Sequence, residues 1–388
     1  MLLTGPRRSG KTTLARSEFP GASYHLLEAP DTIARVRSDP RSFISELETP
    51  TILDEVQNVP EIFGFIRDRI DRSPSSMGRW ILTGSQEAPL MRGVSESMAG
   101  RVAVFQLLPF STLETPKVTL LRGGFPEVVL RPRTASIWFR SYVQTYLERD
   151  VRSVTAIRDL ATFRRFIALV ASRTGQILNK TDLAAPLGVT VPTITEWLEI
   201  LQITGQILLV PPFYENFGKR LIKSPKLYFV DSGLACHLLH VDTASQLSSS
   251  PFRGALWEGF VASEIVKAQL NAGRRTELYY FRDQQGLEVD FLVPNRSGRL
   301  ALIEAKGSRT PSPQMAEPLA RLARAVKSYD TDRWVVYPGS PDPTSGTVLS
   351  PGASALTLEA ALGRLGLGGS AMRRQPRLAP RRGGRPRG

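Results

Sequence analysis

Gly5-Pro6-Arg7-Arg8-Ser9-Gly10-Lys11-Thr12 places two glycines, a lysine and a hydroxyl at the spacing that folds backbone around a phosphate chain. Glycine at both ends permits a tight reversal that turns successive N–H groups inward toward an anion. Lys11 would reach the β- and γ-phosphates of a nucleoside triphosphate, and the Thr12 hydroxyl would ligate Mg²⁺. With glycine at about 7% of residues, a chance match in a chain of this length is on the order of one percent. The candidate phosphate-binding set is Gly5, Pro6, Arg7, Arg8, Ser9, Gly10, Lys11, Thr12 and Thr13.

Binding phosphate is not hydrolysing it, which needs a carboxylate for the metal and a base for the water. Asp54-Glu55, after the apolar run Thr51-Ile52-Leu53, offers both: Asp54 toward Mg²⁺ and Glu55 toward the attacking water. Thr83-Gly84-Ser85-Gln86 ends another apolar run, and Thr83 or Ser85 could touch the γ-phosphate and the water. Arg101 has two readings. It is a domain-edge arginine that steadies transition-state charge in a neighbouring copy, or a surface salt bridge.

A second constellation lies near the other end of the chain. Asp290 and Glu304-Ala305-Lys306 sit on successive predicted strands, where side chains two apart share a face. Asp290 and Glu304 would hold Mg²⁺ with hard oxygens, and Lys306 would position water or steady the phosphorane. Glu258 shares a helical stripe with Val261, Ala262 and Ile265, so its carboxylate faces the core and needs a partner, a metal or Lys306. Glu288 is the same-face neighbour of Asp290 and a further ligand candidate. The same charges can equally form a structural salt-bridge network. His25, His237 and His240 lack cysteine partners that would make a zinc set.

The elements that must position these groups alternate at first. Short apolar strands at Thr51–Asp54, Trp80–Thr83 and Val102–Leu107, with a helix from Thr12 to Phe19 and an amphipathic stretch at Ile62–Ile70, predict a parallel sheet flanked by helices. From about Ser136 to Ala171 the pattern is helical, with Trp138, Tyr142, Tyr146, Phe163, Phe166 and Leu169 as core. Thr181–Leu201 predicts a helix-turn-helix with Thr181 and Thr190 as N-caps and Gly188 at the turn. Ile194, Trp197, Leu198 and Leu201 face its core, while Thr193, Glu196 and Glu199 face outward, a poor surface for a DNA groove. Lys219, Arg220, Lys223 and Lys226 are the better phosphate contacts, within a wing formed by Ile207–Pro211 and Tyr228–Val230. Then follow a helix at Ala255–Leu270, strands at Glu277–Arg282, Leu287–Val293 and Leu300–Ala305, a helix near Gln314–Val326 and a strand at Trp334–Tyr337. That αβββαβ order, with Asp290 and Glu304-x-Lys306, resembles the core of restriction-endonuclease-like nucleases.

The chain has 388 residues, a net charge of +14 and one cysteine, Cys236. That length allows two or three domains, and a single cysteine excludes an internal disulfide framework. No signal peptide opens the sequence, and no apolar run reaches the roughly 18 residues of a membrane span. The expectation is a soluble, cytoplasmic protein with no membrane partner. Seven arginines from Arg373 to Arg387, with no acid among them, supply half of the net charge. That Gly-, Pro- and Arg-rich tail predicts disorder, and it either touches a polyanion such as DNA or only solubilises.

The ordered series GPRRSGKTTL, ILDEVQ, ILTGSQ, SMAGRV and LLPFS resembles the AAA-type P-loop ATPases of bacteria and archaea that carry a C-terminal domain of unknown function. Gly123-Gly124-Phe125-Pro126-Glu127, Tyr146-Leu147-Glu148-Arg149-Asp150 and Lys226 to Gly233 extend the likeness to about residue 340. It implies ATP and Mg²⁺ as ligands and AAA-type hydrolysis. Family members carry a segment ahead of the loop that helps hold adenine, and here only Met1 to Thr4 precede it, so that segment is expected to be missing.

The expected fold class is α/β. A P-loop parallel-sheet ATPase domain (1–115) leads through a helical connector (116–170) to a winged-helix region (171–240). A restriction-endonuclease-like domain (241–345) and a mostly disordered basic tail (346–388) complete the chain. The functional expectation is an ATPase whose nucleotide state drives a DNA-directed C-terminal module, in a chain that can form a homo-oligomer. The alternatives are a metal-dependent nuclease regulated by ATP and a nucleotide-gated binding module with little turnover.

Overall fold

The apolar runs of the first domain become a parallel sheet because such strands are covered on both faces. A computed structural model of the chain describes residues 1–73, 77–85, 97–147, 160–213, 223–295, 298–326, 328–339 and 346–368. Its elements begin with β1 (Leu2–Thr4), α1 (Lys11–Glu18), β2 (Ser23–Leu26), α2 (Pro30–Ser38) and α3 (Pro40–Glu46). They continue through β3 (Thr51–Asp54), α4 (Ile62–Arg72), β4 (Trp80–Thr83) and β5 (Val104–Gln106). The strands pair in parallel in the order β2-β3-β4-β1-β5. Leu2, Leu53, Leu82, Phe63 and Ile66 form the core on one face; Ala15, Ile52 and Ile81 pack on the other.

The middle of the chain is helical: α5 (Pro126–Leu130), α6 (Ala135–Tyr142), α7 (Leu160–Ser172), α8 (Lys180–Ala184) and α9 (Val191–Ile203). An antiparallel ribbon of β6 (Ile207–Val210) and β7 (Lys226–Phe229) follows, then α10 (Ser232–Leu238) and α11 (Ala244–Ser249). Phe125, Tyr142, Phe163, Trp197, Phe229 and Leu234 share one core, so the boundary expected at residue 170 runs through packed side chains. Thr190 caps α9 through the Thr193 amide as expected. The cap of α8 is Asn179 rather than Thr181, because the Asn179 side chain accepts from the amides of Thr181 and Asp182. Lys219, Arg220, Gln86 and the Glu148-Arg149-Asp150 run lie outside the described residues.

The last part opens with α12 (Arg253–Asn271), then β8 (Tyr279–Arg282), β9 (Glu288–Pro294), β10 (Leu300–Ala305), α13 (Glu317–Ala325) and β11 (Thr331–Val336). Alternation splits the strands: Phe291, Val293 and Ile303 face α12, while Leu292, Leu302 and Val335 face α13. Residues 346–368 correct the expectation of a tail that begins at 346. They form β12 (Thr347–Ser350), β13 (Ala353–Leu356) and α14 (Leu358–Arg364), extending the sheet to the order β12-β13-β11-β10-β9-β8. Leu356, Leu358, Leu362 and Leu365 are buried there, and apolar burial outweighs the local bias toward glycine and proline. No described helix is long and apolar enough to cross a membrane.

Candidate functional site

Every strand of a parallel sheet ends at the same edge, and that edge collects the first set of groups. The loop between β1 and α1 starts at Gly5 with φ +145°, where a Cβ would lie 2.1 Å from the Leu107 carbonyl oxygen. Gly10 has φ +99°, and Arg8 sits at φ +64°, also in the left-handed region. The buried Lys11 ammonium donates to the carbonyls of Gly5 (3.1 Å) and Pro6 (2.8 Å), bracing the loop from within. A cleft of about 520 Å³ opens over it, lined by Arg7, Arg8, Gly10, Lys11, Thr12 and Thr13 together with Asp54, Glu55 and Ser85. The hydroxyls of Ser9 and Ser85 are buried and find no hydrogen-bond partner among the described residues.

Asp54 is the hub of this edge. Parallel pairing sets Leu53 beside Leu82, so Asp54 at the end of β3 adjoins Thr83 at the end of β4. Its Oδ2 accepts from Thr12 Oγ1 at 2.8 Å and Tyr24 Oη at 2.7 Å, while Thr83 Oγ1 donates to Oδ1. Of the two hydroxyls at the end of β4, Ser85 thus lines the cleft and Thr83 holds Asp54 beneath it. Glu55 lines the cleft from a left-handed backbone (φ +60°) and accepts from the Gln57 amide. A non-glycine residue held there costs energy that the surrounding fold must offset, a feature that clusters at functional sites. The structure does not bring Arg101 to this edge. Its guanidinium donates to Asp71 at 2.6 Å at the surface.

Tyr24 was not among the residues singled out from sequence. Burial, then the hydrogen bond to Asp54, pushes its phenol above the ordinary range, so it stays a donor. Pro126 and Glu127 were also missed, and they form a cleft wall from outside the first domain. A buried junction aims them. Asp231 accepts from the amides of Gly124 (2.7 Å) and Leu234 (2.9 Å), and a Cβ on Gly123 would fall 2.1 Å from its carboxylate. The Gly124 carbonyl accepts from the Phe110 amide at 2.8 Å, and the Phe110 carbonyl accepts from Lys267 at 3.1 Å. Lys267 in turn pairs with Glu264 at 3.0 Å, and Glu264 accepts from the Thr112 amide and hydroxyl, both at 2.6 Å. The glycine pair shared with the resembled family is therefore the joint between the cleft and α12.

The second set also converges. Ile303 opposite Phe291 puts Asp290 beside Glu304, and Asp290 accepts from the Ala305 amide at 2.9 Å. Lys306 donates to Glu304 Oε1 at 2.5 Å, and the buried Oε2 has no partner among the described residues. Burial first, then the Asp290 charge, raises the Glu304 carboxyl to about 8. The same two causes raise Glu258 to about 7. Lys226 belongs here and corrects the expectation of a phosphate-contacting residue: it is 2% exposed and pairs with Glu258, Glu288 and Asp290. Burial would pull its ammonium down, but the three carboxylates outweigh that and raise it. The hard oxygens present are of the kind that takes Mg²⁺. Among the described residues, however, no three His, Cys, Asp or Glu side chains stand where they could hold a metal ion together.

A family model described as an AAA domain matches residues 1–115. Two described as domains of unknown function, DUF8612 and DUF4143, match residues 86–245 and 253–351. Uncharacterized protein Rv2008c of Mycobacterium tuberculosis is 33% identical over 363 residues, 90% of this chain and 79% of its own. Uncharacterized protein Mb2031c of Mycobacterium bovis matches with the same identity and coverage. Among solved structures, the Aeropyrum pernix ORC1 protein in complex with DNA is similar at 13% identity, over 63% of this chain and 87% of that one. Its TM-score of 0.22 is too low to carry an argument.

Proposed function

We propose, since this chain belongs to the family that joins an N-terminal AAA domain to a C-terminal domain of unknown function, that it hydrolyses ATP and passes its nucleotide state to the C-terminal module. The observation that carries this reading is the cleft over Gly5–Thr12, with Asp54 held by three hydroxyls and Glu55 at its edge. Lys11 and the loop amides bind the phosphates, Glu55 orients and deprotonates the water, and Ser85 offers its spare hydroxyl to the γ-phosphate. Thr12 and Asp54 would hold Mg²⁺, which neutralises phosphate charge. Measuring ATP turnover in Lys11→Ala and Glu55→Gln tests this. Loss of about a hundredfold or more is expected in each. Unchanged turnover in both overturns the reading.

Coupling is supported by α12, which grips Phe110 and Thr112 through Lys267 and Glu264 and carries Glu258 into the second cluster. A second reading rests on the unpartnered Glu304 Oε2. It makes Asp290, Glu304, Glu258 and Lys306 a divalent-cation site for phosphodiester cleavage, with DNA as substrate. That reading predicts Mg²⁺- or Mn²⁺-dependent cleavage that disappears in Asp290→Ala.

A further inference from the structure

The C-terminal carboxylates already surround a cation, and it comes from another element. Lys226 opens β7, and its Nζ lies 2.9 Å from Glu258 Oε1, 2.5 Å from Glu288 Oε1 and 3.5 Å from Asp290 Oδ1. The Tyr280 ring covers it at 5.6 Å to the centroid. A lysine buried this fully is tolerated only where opposite charge surrounds it. Two residues along the same strand face, the Tyr228 hydroxyl donates to Glu258 at 2.5 Å and forms a second latch.

The balance of charge is uneven. Four carboxylates (Glu258, Glu288, Asp290 and Glu304) face two lysines, and Arg282 reaches Glu288 from the rim at 3.3 Å. Glu304 keeps one buried oxygen with no donor among the described residues. The oxygens are of the kind a hard divalent ion takes, but among the described residues no three of them stand where they could share one, and the place between Glu258 and Asp290 holds an ammonium.

We propose that Lys226 is a removable internal cation: while β7 seats it, the cluster excludes divalent metal, and its withdrawal opens the site. The proposal rests on the second reading above, that these carboxylates form a divalent-cation site. β7 leads directly into Asp231, which holds the glycine turn behind Pro126 and Glu127 at the nucleotide cleft. β7 ends at Phe229, and Val230 bends the chain into Asp231, so only Leu227 to Val230 separate the two residues. Movement of the cleft wall and withdrawal of Lys226 would thus act at the two ends of one short segment.

Mn²⁺ binding to the full, nucleotide-free chain, followed by loss of the free-ion electron paramagnetic resonance signal, tests the lock. Asp54→Asn is the background, so that the first-domain site is silent. Adding Lys226→Met should tighten binding of one Mn²⁺ by about tenfold or more, and a further Asp290→Asn should remove the gain. Equal Mn²⁺ binding with and without Lys226→Met, still dependent on Asp290, overturns the lock but leaves the cation site standing. No bound Mn²⁺ in either variant, with both folded by circular dichroism, overturns both readings. If Lys226→Met does not fold, amine acylation of the Asp54→Asn chain read by mass spectrometry replaces it. Saturating Mn²⁺ should raise modification of Lys226 several-fold, and unchanged labelling overturns the lock.

Discussion

Tyr24→Phe removes one oxygen atom and leaves the ring, over which the Arg16 guanidinium sits at 4.9 Å. What it deletes is the 2.7 Å hydrogen bond to Asp54 Oδ2, the oxygen that also accepts from Thr12 at 2.8 Å. A hydrogen bond to a charged group is worth about 1.5–3 kcal/mol net, and partial exposure of Tyr24 lowers this to about 1–2 kcal/mol. At about 1.4 kcal/mol per factor of ten, the loss is about five- to thirtyfold. It should fall on the metal-dependent step. Thr12 is the residue expected to turn toward Mg²⁺, and Tyr24 then becomes the donor that keeps Asp54 aimed. The assay is steady-state phosphate release with Mg²⁺ varied at saturating ATP, beside fluorescent-nucleotide binding in EDTA. A raised Mg²⁺ requirement with unchanged metal-free nucleotide binding is expected. Phosphate release identical to the wild type at limiting Mg²⁺ would refute the assignment of Tyr24 as a positioning residue.

Gly124→Ala should destabilise the chain by about 3 kcal/mol or more, because its Cβ would lie 1.9 Å from the Phe110 carbonyl oxygen and disturb the Asp231 contact. Urea melts check this, with Gly254→Ala, which meets nothing within 4 Å, as a near-neutral control. Metal-free stability should also depend on pH. The carboxyls of Glu258 (about 7) and Glu304 (about 8) lie above the ordinary value of 4.5, so the folded chain binds more protons than the unfolded one between those limits. Their contribution is complete below pH 4.5 and is lost as pH rises through 7 to 8, with a slope up to about 1.4 kcal/mol per pH unit for each extra proton. Thermal melts in EDTA from pH 5 to 8 should fall less steeply in Glu304→Gln than in the wild type; equal slopes refute the assignment.

The phosphate loop and Asp54 were legible because their chemistry demands fixed local spacing, and because strands covered on both faces read as apolar runs. Tyr24 was not legible: Ser23-Tyr24-His25-Leu26 has no such run, and its reach to Asp54 depends on pairing Leu26 with Asp54 across the sheet. Asp290 and Glu304-x-Lys306 are legible through the strand order that resembles a nuclease core, with alternation giving Glu304 and Lys306 one face, and Glu258 through a helical stripe. Lys226 reads from sequence as a phosphate contact beside its basic neighbours, since its partners are 32 or more residues away and no local pattern names them. Residues 346–368 were hidden by an average: their leucines are spaced for a strand pair and a helix, but the arginine-rich stretch beyond dominates the composition.

Helix α12 shows why distant partners matter more here than local pattern. It is buried around most of its circumference, so it has no solvent stripe, and its inward charges must each meet a different neighbour. Glu258 and Lys267 are nine residues apart, which at 100° per residue places them on opposite faces, about 13 Å apart along the axis. Glu258 meets Lys226, while Lys267 and Glu264 meet Phe110 and Thr112 at the exit from the first domain. A displacement of that exit can strip Lys267 and Glu264 of these hydrogen bonds while they still pair with each other, which costs about 1–3 kcal/mol for each buried group left unsatisfied. Otherwise it carries the helix along. Under the proposed coupling, a shift of Phe110 and Thr112 is therefore expected to carry Glu258 along with α12.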